Sequence, residues 1–202
     1  MVDIDLGWDA GPGGPAVDDD RDEIQEGDHH MKGNGWLGGE NQNYGSRQRE
    51  TRWLTPRRYV DSIGEFDLDP CGAPGHDLAR KTYLLENGDD GLRDPWFGHV
   101  WLNPPYGRQA PPFIERLADH GDGVALIFAR TDTAMWHETI WPRASGILFL
   151  KGRVTFLSAD REAPKSNSGA PSALVAYGEW AARALLNCDL PGYYVRLQGG
   201  LT

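Results

Sequence analysis

The sequence predicts an α/β fold with parallel central strands, and three features of the chain indicate it. Strand-like and helix-like segments alternate through the first half of the chain. Residues 123–129 are apolar throughout, which is typical of a strand that helices cover on both faces. Strand-like segments crowd together after residue 145, so we expect antiparallel strands toward the C-terminus.

Local signals place the individual elements along the chain. Thr55 and Pro56 favour a helix start, because threonine caps helices and proline suits the first helical position, and Gly64 is expected to end that helix. The predicted elements, in order, are a helix at 55–63, strands at 65–69 and 99–102, a helix at 111–118, a strand at 123–129, a helix at 133–140 that Pro142 ends, strands at 146–150, 153–157 and 172–177, a helix at 179–186 and a strand at 193–197.

The net charge of −10 is unevenly distributed along the chain. Residues 1–30 hold ten acidic side chains and one basic side chain, for −9, whereas residues 31–202 hold 20 acidic and 19 basic ones, for −1. The acidic segment has repeated glycine and proline and little apolar periodicity, which is typical of disorder. We therefore predict a disordered acidic tail and linker over residues 1–45 and one folded domain over residues 46–202.

The composition argues against several classes of protein. No run approaches 18 consecutive apolar residues, and the acidic N-terminus lacks the order of a signal peptide, so we expect no membrane association and a cytoplasmic location. The two cysteines, Cys71 and Cys188, cannot form a disulfide framework or a four-thiolate zinc site. The six histidines show no ligand spacing, so no metal is expected. Nothing in the sequence indicates the oligomeric state.

The tetrapeptide Asn103-Pro104-Pro105-Tyr106 follows a predicted strand, at the position where open α/β sheets bind ligands. Its residue types suit methylation of an exocyclic amine, whose lone pair is delocalised into the ring. The Asn103 side-chain oxygen and the Pro104 carbonyl can accept from the two amine hydrogens, and both prolines restrict the backbone. Tyr106 offers an aromatic face for a base extruded from the duplex. The same tetrapeptide is also typical of a plain turn.

Several blocks between Trp53 and Tyr177, in the same order, make the sequence resemble the phage-type DNA N6-adenine methyltransferase family, whose members use S-adenosylmethionine. These blocks are Trp53-Leu54-Thr55-Pro56, Phe66-Asp67-Leu68-Asp69-Pro70-Cys71-Gly72, Asp89-Asp90-Gly91-Leu92 with Trp96, Trp101-Leu102-Asn103-Pro104-Pro105-Tyr106-Gly107, Ala129-Arg130-Thr131-Asp132-Thr133 with Trp136, Lys151-Gly152-Arg153-Val154-Thr155-Phe156 and Asn167-Ser168-Gly169-Ala170-Pro171-Ser172.

The resemblance implies a minimal Rossmann-like S-adenosylmethionine methyltransferase sheet in the folded domain. It implies a site-specific, adenine-specific DNA methyltransferase, with a phage origin and hence a host-cell cytoplasmic location. Asn103, Pro104, Pro105 and Tyr106 would then form the catalytic group. The residues assigned to S-adenosylmethionine are Trp53, Thr55, Pro56, Asp69, Pro70, Cys71, Asp89 and Asp90. Those assigned to the substrate side are Arg130, Asp132, Arg153 and Phe156.

DNA is the expected partner, and a basic cluster supports it. Its members are Arg47, Arg49, Arg52, Arg57 and Arg58. Interleaved aromatic residues make this cluster a plausible phosphate-contacting surface, and Arg57 joins the predicted DNA-binding group on that ground. Pairing of the cluster with the acidic tail is the competing interpretation.

Other interpretations of individual residues stay open. Asp89 and Asp90 also suit a turn, Arg130 and Arg153 also suit ordinary surface charges, and Phe156 suits a core. Two features depart from the family pattern: the glycine-rich loop has only two glycines between residues 71 and 75, and the catalytic block begins with asparagine rather than aspartate.

Alternative functions also remain. The shared requirement of the motif is a planar NH₂ group, so cytosine N4, RNA or protein glutamine are alternative substrates. A protein of another class, a non-catalytic interaction protein with an acidic tail, is a further alternative.

Overall fold

The structure is a computed structural model that describes residues 54–157 and 168–197. The predictions of a disordered tail and linker, of a cofactor contact by Trp53 and of a basic cluster at residues 47–52 lie outside the described residues, as does the loop at 158–167. No helix among the described residues has the length and apolar character needed to cross a membrane.

A seven-stranded mixed sheet forms the centre of the fold, as the alternating segments predict. Its strands, in chain order, are β1 (Leu68–Asp69), β2 (Lys81–Thr82), β3 (Val100–Leu102), β4 (Gly123–Phe128), β5 (Gly146–Leu150), β6 (Ser172–Tyr177) and β7 (Gly192–Arg196). They lie side by side in the order β2-β1-β3-β4-β6-β5-β7.

The first four strands are parallel to one another, and the pairings of β4 with β6, of β6 with β5 and of β5 with β7 are antiparallel. Since β6 runs against both β4 and β5, β5 points in the same direction as β4. The prediction of antiparallel strands toward the C-terminus is therefore confirmed. The chain passes from β1 to β2 on one side and then returns to β3 on the other side of β1, so the strand order reverses between β1 and β3. Open α/β sheets bind ligands outside the carboxyl ends of the strands at such a reversal.

Helices cover both faces of the sheet. They are α1 (Arg58–Asp61), α2 (Ala110–His120), α3 (Trp141–Arg143), which continues a π-helical segment at Met135–Ile140, and α4 (Glu179–Asn187). Strand β4 shows why two layers are needed: Val124 and Leu126 pack with α1 and α4, whereas Ala125 and Ile127 pack with α2 and the π-helical segment. Alternate side chains of a strand point to opposite faces, so an uninterrupted apolar run needs cover on both.

Three local predictions are wrong, each for a tertiary reason. The first helix is shorter than residues 55–63, and its N-cap is Arg57 without a side-chain hydrogen bond, because the Thr55 hydroxyl contacts another segment. Pro142 does not end the helix at 133–140, because the π-helical segment at Met135–Ile140 continues directly into α3, which runs through Pro142 to Arg143. Residues 153–157 form no strand: β6 and β7 occupy both edges of β5, and Leu157 forms an isolated β-bridge with Leu54.

Candidate active site

The carboxyl ends of β1, β3 and β4 meet at one edge of the sheet, and each strand ends there in a side chain with distinct chemistry. Asp69 is the last residue of β1, Asn103 follows β3 directly, and Phe128 ends β4. This edge includes the reversal between β1 and β3, so the strand order alone makes it the expected ligand-binding edge.

The Asn103 amide has one satisfied end and one unsatisfied end. Its nitrogen Nδ2 donates to the Thr55 hydroxyl oxygen at 3.1 Å. Its oxygen Oδ1 is buried and has no hydrogen-bond partner in the described part of the chain. A buried acceptor without a partner costs about 1–3 kcal/mol, so such an atom at a ligand-binding edge is suited to a donor from outside the chain.

Thr55 is held in place on both sides. The neighbouring Leu54 pairs with Leu157 through two backbone hydrogen bonds of 2.8 and 2.9 Å. His76 Nε2 donates to the Thr55 carbonyl oxygen at 2.8 Å, and the Thr55 residue is 1% exposed. The segment that begins with Leu54 is thus fixed against the end of β3. Its threonine contacts the predicted catalytic asparagine rather than capping a helix.

The two prolines and the tyrosine of the tetrapeptide lie in different environments. Pro104 is buried, Pro105 is exposed and Tyr106 is half-buried. The Tyr106 ring stacks on Phe128, with 4.2 Å between centroids and 17° between planes, and its edge contacts Phe156 at 6.0 Å. Burial raises the pKa of the Tyr106 hydroxyl well above its usual value, so this hydroxyl stays protonated at neutral pH. The tyrosine ring is therefore held in one orientation by two phenylalanines.

Asp69 is a buried carboxyl group with an unusual pKa. It is 3% exposed, and Cys71 N donates to its Oδ1 at 3.0 Å. Desolvation raises the pKa of Asp69 to about 7, and the Cys71 hydrogen bond opposes that rise only in part. Burial and the Asp69 charge together raise the pKa of the Cys71 thiol well above its ordinary value, so the environment favours the protonated thiol.

The carboxylates of Asp89 and Asp90 stabilise their own loop. Asp89 Oδ2 accepts from Leu84 N at 2.9 Å, and Asp90 Oδ1 accepts from Leu92 N at 2.9 Å. The following Gly91 packs so closely on the Pro70 carbonyl that a Cβ atom there would clash. This packing places the 89–91 loop beside the turn that follows β1. The predicted cofactor contacts of Asp89 and Asp90 stay a prediction.

A family model described as DNA N-6-adenine-methyltransferase (Dam) matches residues 44–188 of the chain. The match covers β1 to β6, α4 and the whole edge described above. The chain belongs to the DNA N-6-adenine-methyltransferase family. A curated DNA N-6-adenine-methyltransferase of Escherichia phage T1 is 26% identical over 113 residues, which covers 51% of this chain and 46% of the relative. The chain thus matches about half the length of that relative. No solved structure matches the chain significantly.

Membership of the DNA N-6-adenine-methyltransferase family agrees with the resemblance drawn from the sequence blocks, and the mixed sheet is compatible with the expected Rossmann-like architecture. The structure brings together members of three groups of the predicted site: Thr55 contacts Asn103 of the tetrapeptide, and Phe156 contacts Tyr106 of the same tetrapeptide. Pro56, whose carbonyl accepts from Tyr59 N at 3.0 Å, and Pro70 begin the turns that flank Thr55 and Asp69.

The residues predicted to contact the substrate differ in their exposure and contacts. Arg130 is exposed, with its guanidinium 5.5 Å from the Phe128 ring centroid, and Asp132 and Arg153 are also exposed. Arg57 is exposed, but it donates to the Asp77 carbonyl at 2.7 Å and pairs with Asp61. Phe156 is 3% exposed and belongs to the core. None of these positions tests a DNA contact, so those assignments stay predictions.

Two residues of the edge were not predicted. Phe128 stacks on Tyr106, and its place at the end of the long apolar strand is a signal that could have identified it. His76 holds the Thr55 carbonyl from a turn without periodic pattern, so the sequence offers no comparable signal. Within residues 54–157 and 168–197, no group of three His, Cys, Asp or Glu side chains is placed to hold a metal ion.

Proposed function

We propose that the protein is an S-adenosylmethionine-dependent, site-specific methyltransferase that methylates the exocyclic N6 amine of adenine in DNA. Family membership supports the reaction class, and the phage T1 relative supports a phage origin. One observation carries the proposal: the Asn103 Oδ1 lies at the strand-order reversal, is buried and has no hydrogen-bond partner among the described residues. An acceptor in that position can take a hydrogen bond from the NH₂ group of a bound base.

Asn103 and Pro104 would act together on the amine. The Asn103 Oδ1 accepts one amine hydrogen and the Pro104 carbonyl accepts the other, which favours a pyramidal nitrogen with a localised lone pair. The Thr55 contact holds Nδ2, so the amide presents its oxygen to the substrate. Preorganised acceptors of this kind need no rearrangement during the reaction, which is the main advantage that an active site has over water.

Tyr106 would hold the target base after its extrusion from the duplex. Extrusion costs a few kcal/mol, and stacking of a base on an aromatic ring is worth about 1–3 kcal/mol. Phe128 occupies one face of the Tyr106 ring, so the base would stack on the opposite face or against the ring edge. The phenylalanine support fixes the plane in which the base lies and hence the direction of its amine.

The residues near Asp69 fit S-adenosylmethionine, a cofactor with a cationic sulfonium and a cationic amino group. The donor set at this edge offers a buried carboxyl group at the end of β1, and a nearby cation would favour the ionised form of a carboxyl whose pKa is about 7. When bound, S-adenosylmethionine supplies an electrophilic methyl group, and the amine releases one proton as it takes that methyl. Asp69 would pair with the cationic part, and Thr55, Pro56, Pro70, Cys71, Asp89 and Asp90 would line the cofactor site.

Product analysis tests this function. The full chain is incubated with a methyl-labelled donor and unmethylated DNA, RNA or protein, and the products are digested and identified by mass spectrometry. We expect label in N6-methyladenine from DNA, and none with Asn103→Ala. Label in N4-methylcytosine, RNA or methylglutamine would replace the proposed substrate, and an unlabelled result in all three would contradict the enzymatic proposal.

A further inference from the structure

A groove of about 340 Å³ lies between α1, the segment that follows β5, and the turn before β7. Three cationic side chains line it: Arg58, Lys151 and Arg153. All three residues are exposed, so the groove is open to a ligand from solvent. One acidic residue, Asp189, also lines the groove, which leaves the lining with three positive charges and one negative charge, a formal +2.

The cations of this groove differ from most other arginines of the described residues. Six arginines pair with carboxylates there: Arg57, Arg80, Arg93, Arg143, Arg183 and Arg196. Arg58 instead lies over the Tyr59 ring, 4.9 Å from its centroid, and donates to the Tyr59 hydroxyl. Lys151 and Arg153 have no carboxylate partner within residues 54–157 and 168–197. The Asp189 carboxylate accepts from the Ser62 hydroxyl, so its hydrogen bond is to a neutral group.

The groove lies at the same edge of the sheet as the candidate active site. Strand β5 points in the same direction as β3 and β4, so Lys151 and Arg153 follow its carboxyl end. Three residues beyond Arg153, the chain reaches Phe156, whose ring contacts the edge of Tyr106. A strand of nucleic acid with one base at Tyr106 therefore has this groove beside it along the edge of the sheet.

We propose that the groove binds the phosphodiester backbone of the DNA strand next to the target adenine, through Arg58, Lys151 and Arg153. The inference rests on the proposed function for its choice of DNA. A cation without an acidic partner can attract phosphate directly, whereas a cation paired with a carboxylate must first break that ion pair. The groove contributes register and affinity rather than sequence readout, because phosphates are the same at every base pair.

Salt-dependent DNA binding tests this proposal with the full chain and a fluorescently labelled DNA duplex. The variant is Lys151→Gln combined with Arg153→Gln. The matched control is Arg143→Gln, which removes one positive charge before the amino end of β5, at the opposite edge of the sheet. Affinity is measured from about 50 to about 200 mM salt, and a second titration measures S-adenosylmethionine affinity.

We expect the double variant to bind DNA roughly tenfold more weakly and the slope of log K against log salt to fall by about 2. Lys151→Gln combined with Arg153→Lys should bind DNA more tightly than the double variant, because one positive charge is kept. Arg143→Gln should bind DNA as the wild type does, and none of these variants should change cofactor affinity. An unchanged slope in the double variant overturns the proposal. A loss of cofactor affinity without a loss of DNA affinity overturns it as well. If the wild type binds DNA but methylates nothing, the proposed function fails while the slope still decides the groove; if it binds no DNA, both fail.

Discussion

Thr55 and Asn103 are 48 positions apart in the sequence, and the Asn103 amide nitrogen donates to the Thr55 hydroxyl at 3.1 Å. The contact joins the segment before α1 to the end of β3. It leaves the Asn103 oxygen as the buried end of the amide without a partner among the described residues. The proposed role of Asn103 therefore depends on a residue that the motif itself does not include.

Replacing Thr55 with valine should lower the rate of methyl transfer by about 10- to 100-fold, because the Asn103 amide loses the acceptor that orients it. Thr55→Ser keeps the hydroxyl and is the matched control, expected to stay within a few-fold of the wild type. Single-turnover rates at saturating cofactor and DNA measure the effect. A Thr55→Val protein as fast as the wild type would show that the contact is not needed for positioning.

Asp69 should make the protein less stable as the pH rises from about 4 to about 7. In this window the unfolded carboxyl, with its usual pKa of 3.8, is ionised while the folded one, with a pKa of about 7, keeps its proton. The difference between the two pKa values corresponds to on the order of 4 kcal/mol in the free energy of unfolding. This contribution is present below pH 4 and is lost by about pH 7. Asp69→Asn removes this dependence.

Urea unfolding of the wild type and Asp69→Asn at pH 5 and pH 8 measures this effect, with other carboxyl groups common to both proteins. The stabilisation of the variant relative to the wild type should be larger at pH 8. An equal difference at both pH values would contradict the raised pKa. If Asp69 also pairs with the cationic cofactor, wild-type affinity should increase with pH below 7 and level off above it, whereas the variant should show weak binding without that trend.

Tyr106→Phe should retain methyl transfer and match or exceed the wild type in stability. The Tyr106 hydroxyl is buried with no hydrogen-bond partner in the described structure, so its removal relieves a cost of about 1 kcal/mol and leaves the ring on Phe128. Tyr106→Ala removes the ring itself and should cost about 3 kcal/mol of stability, together with activity. Thermal unfolding and initial rates provide the two readouts. A large rate loss in Tyr106→Phe would assign a role to the hydroxyl instead of the ring.

Gly91→Ala should destabilise the protein by about 2 kcal/mol and weaken cofactor binding, because its Cβ would collide with the Pro70 carbonyl and push the 89–91 loop from the turn after β1. Gly169→Ala is the control, since no heavy atom of the described residues lies within 4 Å of the added Cβ there. Thermal unfolding and cofactor titration measure both effects. Retention of full stability in Gly91→Ala would show that the loop can move without cost.

The sequence predicted the long elements because their signals are local. Strand β4 is an unbroken apolar run, and α2 begins next to two prolines at residues 111 and 112 and ends at Gly121, which adopts the left-handed conformation typical of a helix end. Strand β2 contains only Lys81 and Thr82, too few residues for any periodic pattern, and was not predicted. Its position depends on backbone pairing with β1 rather than on its side chains.

The candidate site shows the same division. Asn103 and Tyr106 were predicted because the chemistry of an amide, two prolines and an aromatic ring is recognisable in four consecutive residues. The contacts of Thr55 with Asn103 and of Phe128 with Tyr106 join residues that are 48 and 22 positions apart, and only the packed sheet brings them together. Arg58 and Arg153 are also distant in the sequence, and only the folded chain brings them to one groove.

The central claim is that Asn103 Oδ1 accepts a hydrogen bond from the target amine, and the single-turnover rate of Asn103→Ala tests it most directly. The reaction is run at saturating S-adenosylmethionine and DNA, with Asn103→Asp as the variant that keeps an acceptor oxygen. We predict a loss of at least about 100-fold in Asn103→Ala, with cofactor and DNA affinity unchanged, and a smaller loss in Asn103→Asp. A rate in Asn103→Ala within a few-fold of the wild type would contradict the account.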